Sequence, residues 1–385
     1  MDFRLSEEQL MVRDMVREFA QREMAPVVPA LERRGEYPAG IVKRLAELGL
    51  LGMTIPETYG GTAFDTVSIC LVMEEIARAC ASTAVTVSVH NSASAAPIVK
   101  FGSAIQKQRY LAAMARGDII GGFALTEPGC GSDAASMAAR AVRQKDKYLL
   151  NGTKSWITNV HIGGVYVLMA VTDPGAGRRG ISAFLVEPSM PGFSFGKDED
   201  KMGLRSSVTG MINLTDCEVP AENLLGEEGM GLRVAFSTLD GGRIGIAAQS
   251  VGIAQAAFEE ARRYALGRRA FGQTLASLQA VRFMLADMAM ELDAARLLML
   301  RAASLKDRAV KGASRDFSRE ASMAKLYASE MSNRVAYKAV QIHGGYGYSK
   351  EYNVERYYRD SRVTTIYEGA SEIQRLIIAR KLLAS

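Results

Sequence analysis

The spacing of apolar residues changes twice along the chain, and that double change limits its fold more than any single motif. Up to about Gly121 they recur at helical spacing, as in "QLMVRDMVREFAQREM" at 9–24. Ser6 and Gln9 precede this run in the S-x-x-Q order of a capping box. "PAGIVKRLAELGLLG", "TVSICLVMEEIARACAS" and "SAIQKQRYLAAMARG" read as further helices, the first of them stopped by glycine. From Gly121 to about Pro220 the chain turns to short β-rich runs: "YLLNGTKSWIT", "VYVLMAVT", "ISAFLVEPS" and "GMINLTDCEVP". Asn151-Gly152 between apolar flanks predicts a hairpin turn, and the whole stretch an antiparallel β domain. From about Gly229 long helical runs return, four in all, ending with "SEIQRLIIARKLL". Four such helices predict an antiparallel bundle. The expected fold class is therefore mainly α with a β domain: an N-terminal helical domain over 1–120, a middle antiparallel β domain over 121–228 and a C-terminal four-helix bundle over 229–385.

Composition narrows the function. A chain of 385 residues that is 48% hydrophobic can fill a large core spread over two or three domains. Its formal charge of +5 comes from scattered Lys and Arg, which suits an anionic small ligand better than nucleic acid. No run approaches the roughly 18–20 apolar residues of a membrane span. The segment "MDFRLSEEQL" has early acids and no apolar signal core, so secretion is not expected, and the cysteine usage reads as that of a reduced cytoplasmic chain. Cys70, Cys80, Cys130 and Cys217 match neither a zinc nor a redox spacing, and His90, His161 and His343 are too few for a histidine-rich metal site, so no metal is expected.

Three clusters remain that can carry chemistry. "GGFALTEPGCGSDAASM" at 121–137 takes a β-like run into a glycine-rich turn, offering Thr126, Ser132 and bare amides to a polar ring edge or a phosphate. "KSWITN" at 154–159 holds the only tryptophan, Trp156, two residues from Thr158, so a strand would present both on one face to a planar cofactor. "TTIYEGASEIQR" places Glu368 before Gly369 and Ala370, with Ser371 positioned to cap the following helix. An acid there can merely complement the helix dipole; in a dry cleft it can instead be tuned to abstract a proton.

Taken in order, "ALTEPGCGSD", "NGTKSWITN", "DKMGLRSS", "LDGGRIGIAAQSVGIAQAA", "GRRAFGQ", "QIHGGYGY" and "YYRDSRVTTIYEGASEIQR" resemble the acyl-CoA dehydrogenase flavoprotein family over essentially the whole chain. Within it, the chain most resembles the short-chain, butyryl-CoA-type branch. The resemblance implies FAD between the middle and C-terminal domains, a homotetramer, and a role in fatty acid or amino acid degradation. It implies that Phe123, Leu125 and Thr126 meet the flavin ring, that Trp156 and Thr158 cover it near N5, and that Ser132 is shared between FAD and acyl-CoA. Arg268 and Gln279 match positions holding the pyrophosphate and adenosine part. The segment Gln341 to Gly345, with Gly344 and Gly345, matches one that a second subunit offers to FAD. Ser371 and Glu372 match cofactor contacts after the base; Asp240 and Arg243 match CoA-side contacts; Gly369 matches a substrate contact.

Glu368 matches the catalytic base, removing the α-proton of a short-chain acyl-CoA (straight, branched or cyclic) as the β-hydride moves to flavin N5, to give the trans-2-enoyl-CoA. Electrons would pass to an electron-transferring flavoprotein. Relatives with the base on the helix of "LDGGRIG" have it where this chain has Gly241 and Gly242, which favours Glu368. Ala84 stands where glutaryl-type relatives carry Arg, which disfavours a dicarboxylic substrate. Ala370 stands where the family commonly has Thr and Ala270 where some relatives have a cofactor-binding Thr, and His90 falls in the segment implied to line the acyl pocket, where it reads as a hydrogen-bonded wall residue. An acyl-CoA oxidase or flavin monooxygenase on the same fold, or a non-catalytic flavin- or CoA-binding protein, are the competing readings.

Overall fold

The computed structural model describes residues 4–310 and 316–383, so the expected outer limits at 1 and 385 lie outside the described residues. The helical opening comprises α1 (Glu7–Phe19), α2 (Val28–Arg34), α3 (Ala39–Glu47), α4 (Thr66–Ala79), α5 (Ala81–Ser88), α6 (Ala96–Phe101) and α7 (Ala104–Ala115), with a π-helical turn Val89–Ala95 joining α5 to α6. Ser6 caps α1 as its spacing predicts: its Oγ accepts from Gln9 N at 3.2 Å, and Gln9 Oε1 accepts from Ser6 N at 3.0 Å. Ser103 and Gln106 repeat the arrangement on α7.

The middle section is a seven-stranded sheet: β1 (Ile120–Ala124), β2 (Arg140–Gln144), β3 (Lys147–Thr158), β4 (Gly163–Val171), β5 (Ile181–Val186), β6 (Phe193–Asp198) and β7 (Thr209–Pro220). It is mixed rather than purely antiparallel, because β1 runs parallel to β4 and β2 touches β4 in parallel at Arg140. The expected hairpin at Asn151-Gly152 is also corrected. The turn is Lys145-Asp146, with Lys145 left-handed, and Asn151-Gly152 lies inside β3 at a shift of register against β7. Gly152 is there for close approach, since a Cβ on it would sit 2.7 Å from that of Ala139. Asn151 pairs across with Asp216, donating to its carboxylate and accepting from its N–H, both at 2.9 Å. Both faces of the sheet are covered. Val165, Val167 and Met169 of β4 pack toward α7, and Tyr166, Leu168 and Ala170 fill the opposite core.

The C-terminal section holds α8 (Gly231–Gly267), a short hairpin of β8 (Arg269–Ala270) and β9 (Gln273–Thr274), α9 (Gln279–Val310), α10 (Ser318–His343), α11 (Val354–Arg362) and α12 (Ser371–Leu383). The four expected helices are α8, α9, α10 and α12. The charge-dense α11, "VERYYRDSR", lacked a legible apolar run. α8 extends about 55 Å and packs on both α10 and α4. Its contact with α4 is so close that a Cβ on Gly252 would lie 2.3 Å from the Glu74 carbonyl oxygen. The first and last helical sections thus share one core, from Val72 and Ile76 of α4 to Val251 and Ala254 of α8 and Ala324 and Ala328 of α10.

Candidate active site

Glu368 stands on a turn between α11 and α12 in a left-handed conformation (φ 50°), followed by left-handed Gly369 (φ 95°). A glutamate held there costs about 1–2 kcal/mol relative to ordinary backbone, so the turn needs external support. Gln374 of α12 supplies it, its Nε2 donating to the carbonyls of Glu368 at 3.2 Å and Gly369 at 2.8 Å. Lys325 of α10 donates to the same Gly369 carbonyl at 2.8 Å. Ser371 is the first residue of α12 rather than its cap; its Oγ is buried without a partner among the described residues, and the capping carbonyl is that of Ala370, which accepts from Gln374 N at 3.0 Å.

The carboxylate turns toward α8. A Cβ built on Gly242 would stand 2.0 Å from Glu368 Oε2, 2.8 Å from Cδ and 3.1 Å from Oε1. The missing side chain of Gly242 is therefore the space that the carboxylate fills. Oε2 is sealed from solvent and has no hydrogen-bond partner among the described residues. Burial pushes the carboxyl up to about 7, against the downward pull of Lys325 first and Arg243 second. Arg243 is itself buried; it ion-pairs with Asp240 one turn earlier on α8, and Asp240 also accepts from Ser318 Oγ at 2.9 Å. Burial lowers the Arg243 guanidinium, with Asp240 and Glu368 opposing.

A second group of residues forms around β1 and β3. Phe123 is half-buried at the end of β1, Leu125 is buried and Thr126 half-buried just beyond, and the Thr126 carbonyl accepts from Ser155 N at 3.0 Å. Trp156 and Thr158 do not share a regular strand face. The β3 register slips between Lys154 and Ile157, and Trp156 adopts φ 60° with 59% of its surface exposed. A large aromatic ring turned outward at a strained position fits a flat partner group better than a core role. Two residues earlier on β3 stands one half of an ion pair that the sequence did not single out. Lys154 is fully buried, donating to Glu127 Oε1 at 2.7 Å and to the Leu125 carbonyl at 3.1 Å, while Glu127 also accepts from Ala138 N at 2.6 Å and Ala139 N at 3.0 Å. Ser132 is exposed on the same loop, and Cys130 is a buried free thiol. Asn159 bridges this group to α5 through the Thr86 carbonyl at 3.2 Å, and Ser88 of α5 lies against Gly245 of α8, one turn beyond Gly242.

His90 is fully buried and doubly bonded, Nδ1 accepting from Gly121 N and Nε2 donating to the Leu51 carbonyl, both at 3.0 Å. Burial lowers it to about 4, so it is a neutral structural histidine. Ala84 is also fully buried.

A third group sits elsewhere. Arg268, Gly344 and Gly345 line an open cleft of about 660 Å³ with Tyr264, His343 and Tyr346, the Arg268 guanidinium lying 5.4 Å from the Tyr346 ring centre. Gln341 and Gln279 are exposed, on α10 and at the start of α9, and Glu372 is exposed on α12. This cleft lies at the C-terminal end of α10, about 27 Å along the helix from Lys325. One chain thus separates the cleft from the base.

The three-part order of helical, β and helical sections is that of the acyl-CoA dehydrogenase fold. The chain matches family models for the acyl-CoA dehydrogenase N-terminal domain over 6–118, middle domain over 122–217 and C-terminal domain over 229–383, and it belongs to that family. It is 50% identical to the mouse (Mus musculus) short-chain specific acyl-CoA dehydrogenase, mitochondrial, covering 99% of this chain and 91% of that protein. The butyryl-CoA dehydrogenase of Megasphaera elsdenii superposes with a TM-score of 0.96 at 42% identity, covering all of both chains. A Bacillus anthracis acyl-CoA dehydrogenase solved with FAD superposes with a TM-score of 0.93 at 37% identity, covering 98% of this chain and 67% of that one. The protein is an FAD-dependent acyl-CoA dehydrogenase.

Proposed function

We propose that Glu368 is the base that removes the α-proton of a short-chain acyl-CoA, straight, branched or cyclic, to give the trans-2-enoyl-CoA. The carrying observation is that its carboxylate occupies the notch left by Gly242, with Oε2 closed to solvent and the carboxyl pushed up to about 7. A general base works best with a pKa close to the working pH, because it must be both ionised and basic. The Glu368 N–H has no hydrogen-bond partner among the described residues and can donate to the thioester oxygen, stabilising the charge that develops as the α-proton leaves. FAD, when bound, supplies the hydride acceptor at N5. Phe123, Leu125, Thr126, Trp156 and Thr158 would hold its ring, with Ser132 shared between it and the substrate; Ser371 and Glu372 would add contacts after the base. Asp240, Arg243 and Gly369 would serve the acyl-CoA. The short-chain preference rests on the names of the mouse and Megasphaera relatives.

The separation of the Arg268 cleft from the base supports a homotetramer in which Arg268, Gln279, Gln341, Gly344 and Gly345 serve the cofactor of a neighbouring copy. Exposed Phe283, Met290 and Leu297, seven residues apart along α9, offer an apolar stripe for such assembly. The three-domain division at 120 and 228 follows the two changes of apolar spacing, and the family-model limits support it. Four buried free cysteines suit a reducing cytoplasm, and an electron-transferring flavoprotein is the proposed acceptor.

Glu368→Gln should retain FAD while losing the anaerobic bleaching of the flavin band by butyryl-CoA. Bleaching at a near-normal rate in that variant would place the base elsewhere.

A further inference from the structure

Lys325 is the buried cation that this mechanism leaves unexplained. It lies in phase with the apolar face of α10, four residues after Ala321 and three before Ala328, and is fully buried with both. An ammonium in such a place is costly to desolvate, and a methionine of similar length would pack there at less cost. Yet no carboxylate ion-pairs with it among the described residues, and its one hydrogen bond is to the Gly369 carbonyl at 2.8 Å. That carbonyl belongs to the second of the two left-handed residues carrying the base. Gln374 reaches the same carbonyl from α12, so two helices converge on one turn.

We propose that Lys325 is a positioning residue for proton abstraction: it clamps the Gly369 carbonyl, thereby fixing the turn that aims Glu368 and its N–H, and its charge favours the ionised carboxylate in the notch of Gly242. This rests on the reading of Glu368 as the base. The other groups facing the pair are Arg243 and Asp240 from α8, Glu330 on α10 itself, Glu372 from α12, Tyr367 on the turn, and Lys306 of α9, which lies against Gly241. Arg243 is neutralised in part by its pairing with Asp240, whereas Lys325 has no direct counter-ion among the described residues. Lys325 is also the first cause opposing burial at Glu368, and Glu368 is the first cause holding up Lys325, which burial lowers to about 8. With the Lys325 charge removed, burial is less opposed and Glu368 holds its proton to higher pH.

The test is the pH profile of kcat/KM for butyryl-CoA in holoenzyme carrying Lys325→Met, Lys325→Gln or Lys325→Arg, alongside Glu368→Gln. Lys325→Met should keep its FAD and show the acid limb moved up by on the order of one unit, a further tenfold loss at about pH 6. Lys325→Arg should restore the limb, and Lys325→Gln, a donor without charge, should not. Should Lys325→Met fail to fold, Lys325→Gln carries the comparison. A uniform loss of rate with the acid limb unmoved would reduce Lys325 to fold support and overturn the proposal. An inactive Glu368→Gln beside an unaltered Lys325→Met would overturn this proposal alone, whereas an active Glu368→Gln would overturn the assignment of the base.

Discussion

Gly242→Ala tests the site with a single methyl group. Gly242 has ordinary helical backbone within α8, so alanine is conformationally welcome and, away from any clash, stabilises a helix interior by about 0.5–1 kcal/mol. The methyl would arrive 2.0 Å from Glu368 Oε2, where ordinary contact begins near 3.4 Å, so the carboxylate must retreat by roughly 1.4 Å. Its turn is held by Gln374 and Lys325 and cannot follow freely, so the retreat falls on the side-chain torsions. A displacement of about 1 Å in a reacting group costs on the order of 100-fold, or about 2.7 kcal/mol of barrier. The assay is stopped-flow anaerobic reduction of the bound flavin by butyryl-CoA, with FAD content and Tm measured on the same preparation. The expected result is a loss of about 100-fold in the reduction rate, with FAD retained and Tm unchanged or slightly raised. A rate within about threefold of the parent, at full FAD occupancy, would refute the placement of the carboxylate against α8.

Two further outcomes follow from buried charge. Burial lifts both Glu368 and Asp360 to about 7, so between the ordinary carboxyl range and that value the folded chain holds protons that the unfolded chain has lost; stability should fall as pH rises through this window. Asp360→Asn, which keeps an oxygen to accept from Leu204 N, should flatten the decline of Tm between about pH 4 and pH 7; an unaltered slope would exclude Asp360 as a cause. Lys154→Met should cost about 3–5 kcal/mol in chemical denaturation, because it strands the buried Glu127 carboxylate; a loss below about 1 kcal/mol would show that the pair is not effectively buried.

The residues that were legible in the sequence are those whose signal is local. Helical spacing in α1, α4 and α8 persists for many residues and could be read directly. The Ser6–Gln9 box was readable because both partners lie within one turn. Asn151-Gly152 does not identify a turn by itself, because the same dipeptide serves a turn or a bulge, and only the neighbouring Ala139 and Asp216 decide which. The outward turn of Trp156 was hidden for the same reason, since a register slip depends on the partner strand β7. Lys325 did leave a trace, a lysine in phase with the apolar face of α10, but a lone charge on such a face does not disclose its partner.

By itself, the sequence determined the order of helical, β and helical sections, the acid before α12 and the absence of an acid at 241 and 242. Those features depend on residue type and on spacing within a few turns. Only the tertiary structure decided that these last two observations describe one place. Packing α8, α10 and the 366–370 turn around a common core brings the Glu368 carboxylate into the notch of Gly242 and closes its Oε2 to solvent, with Lys325 and Arg243 opposing the rise in its pKa. A pKa near neutrality belongs to that enclosure, because desolvation and nearby charge are set by neighbours far away along the chain.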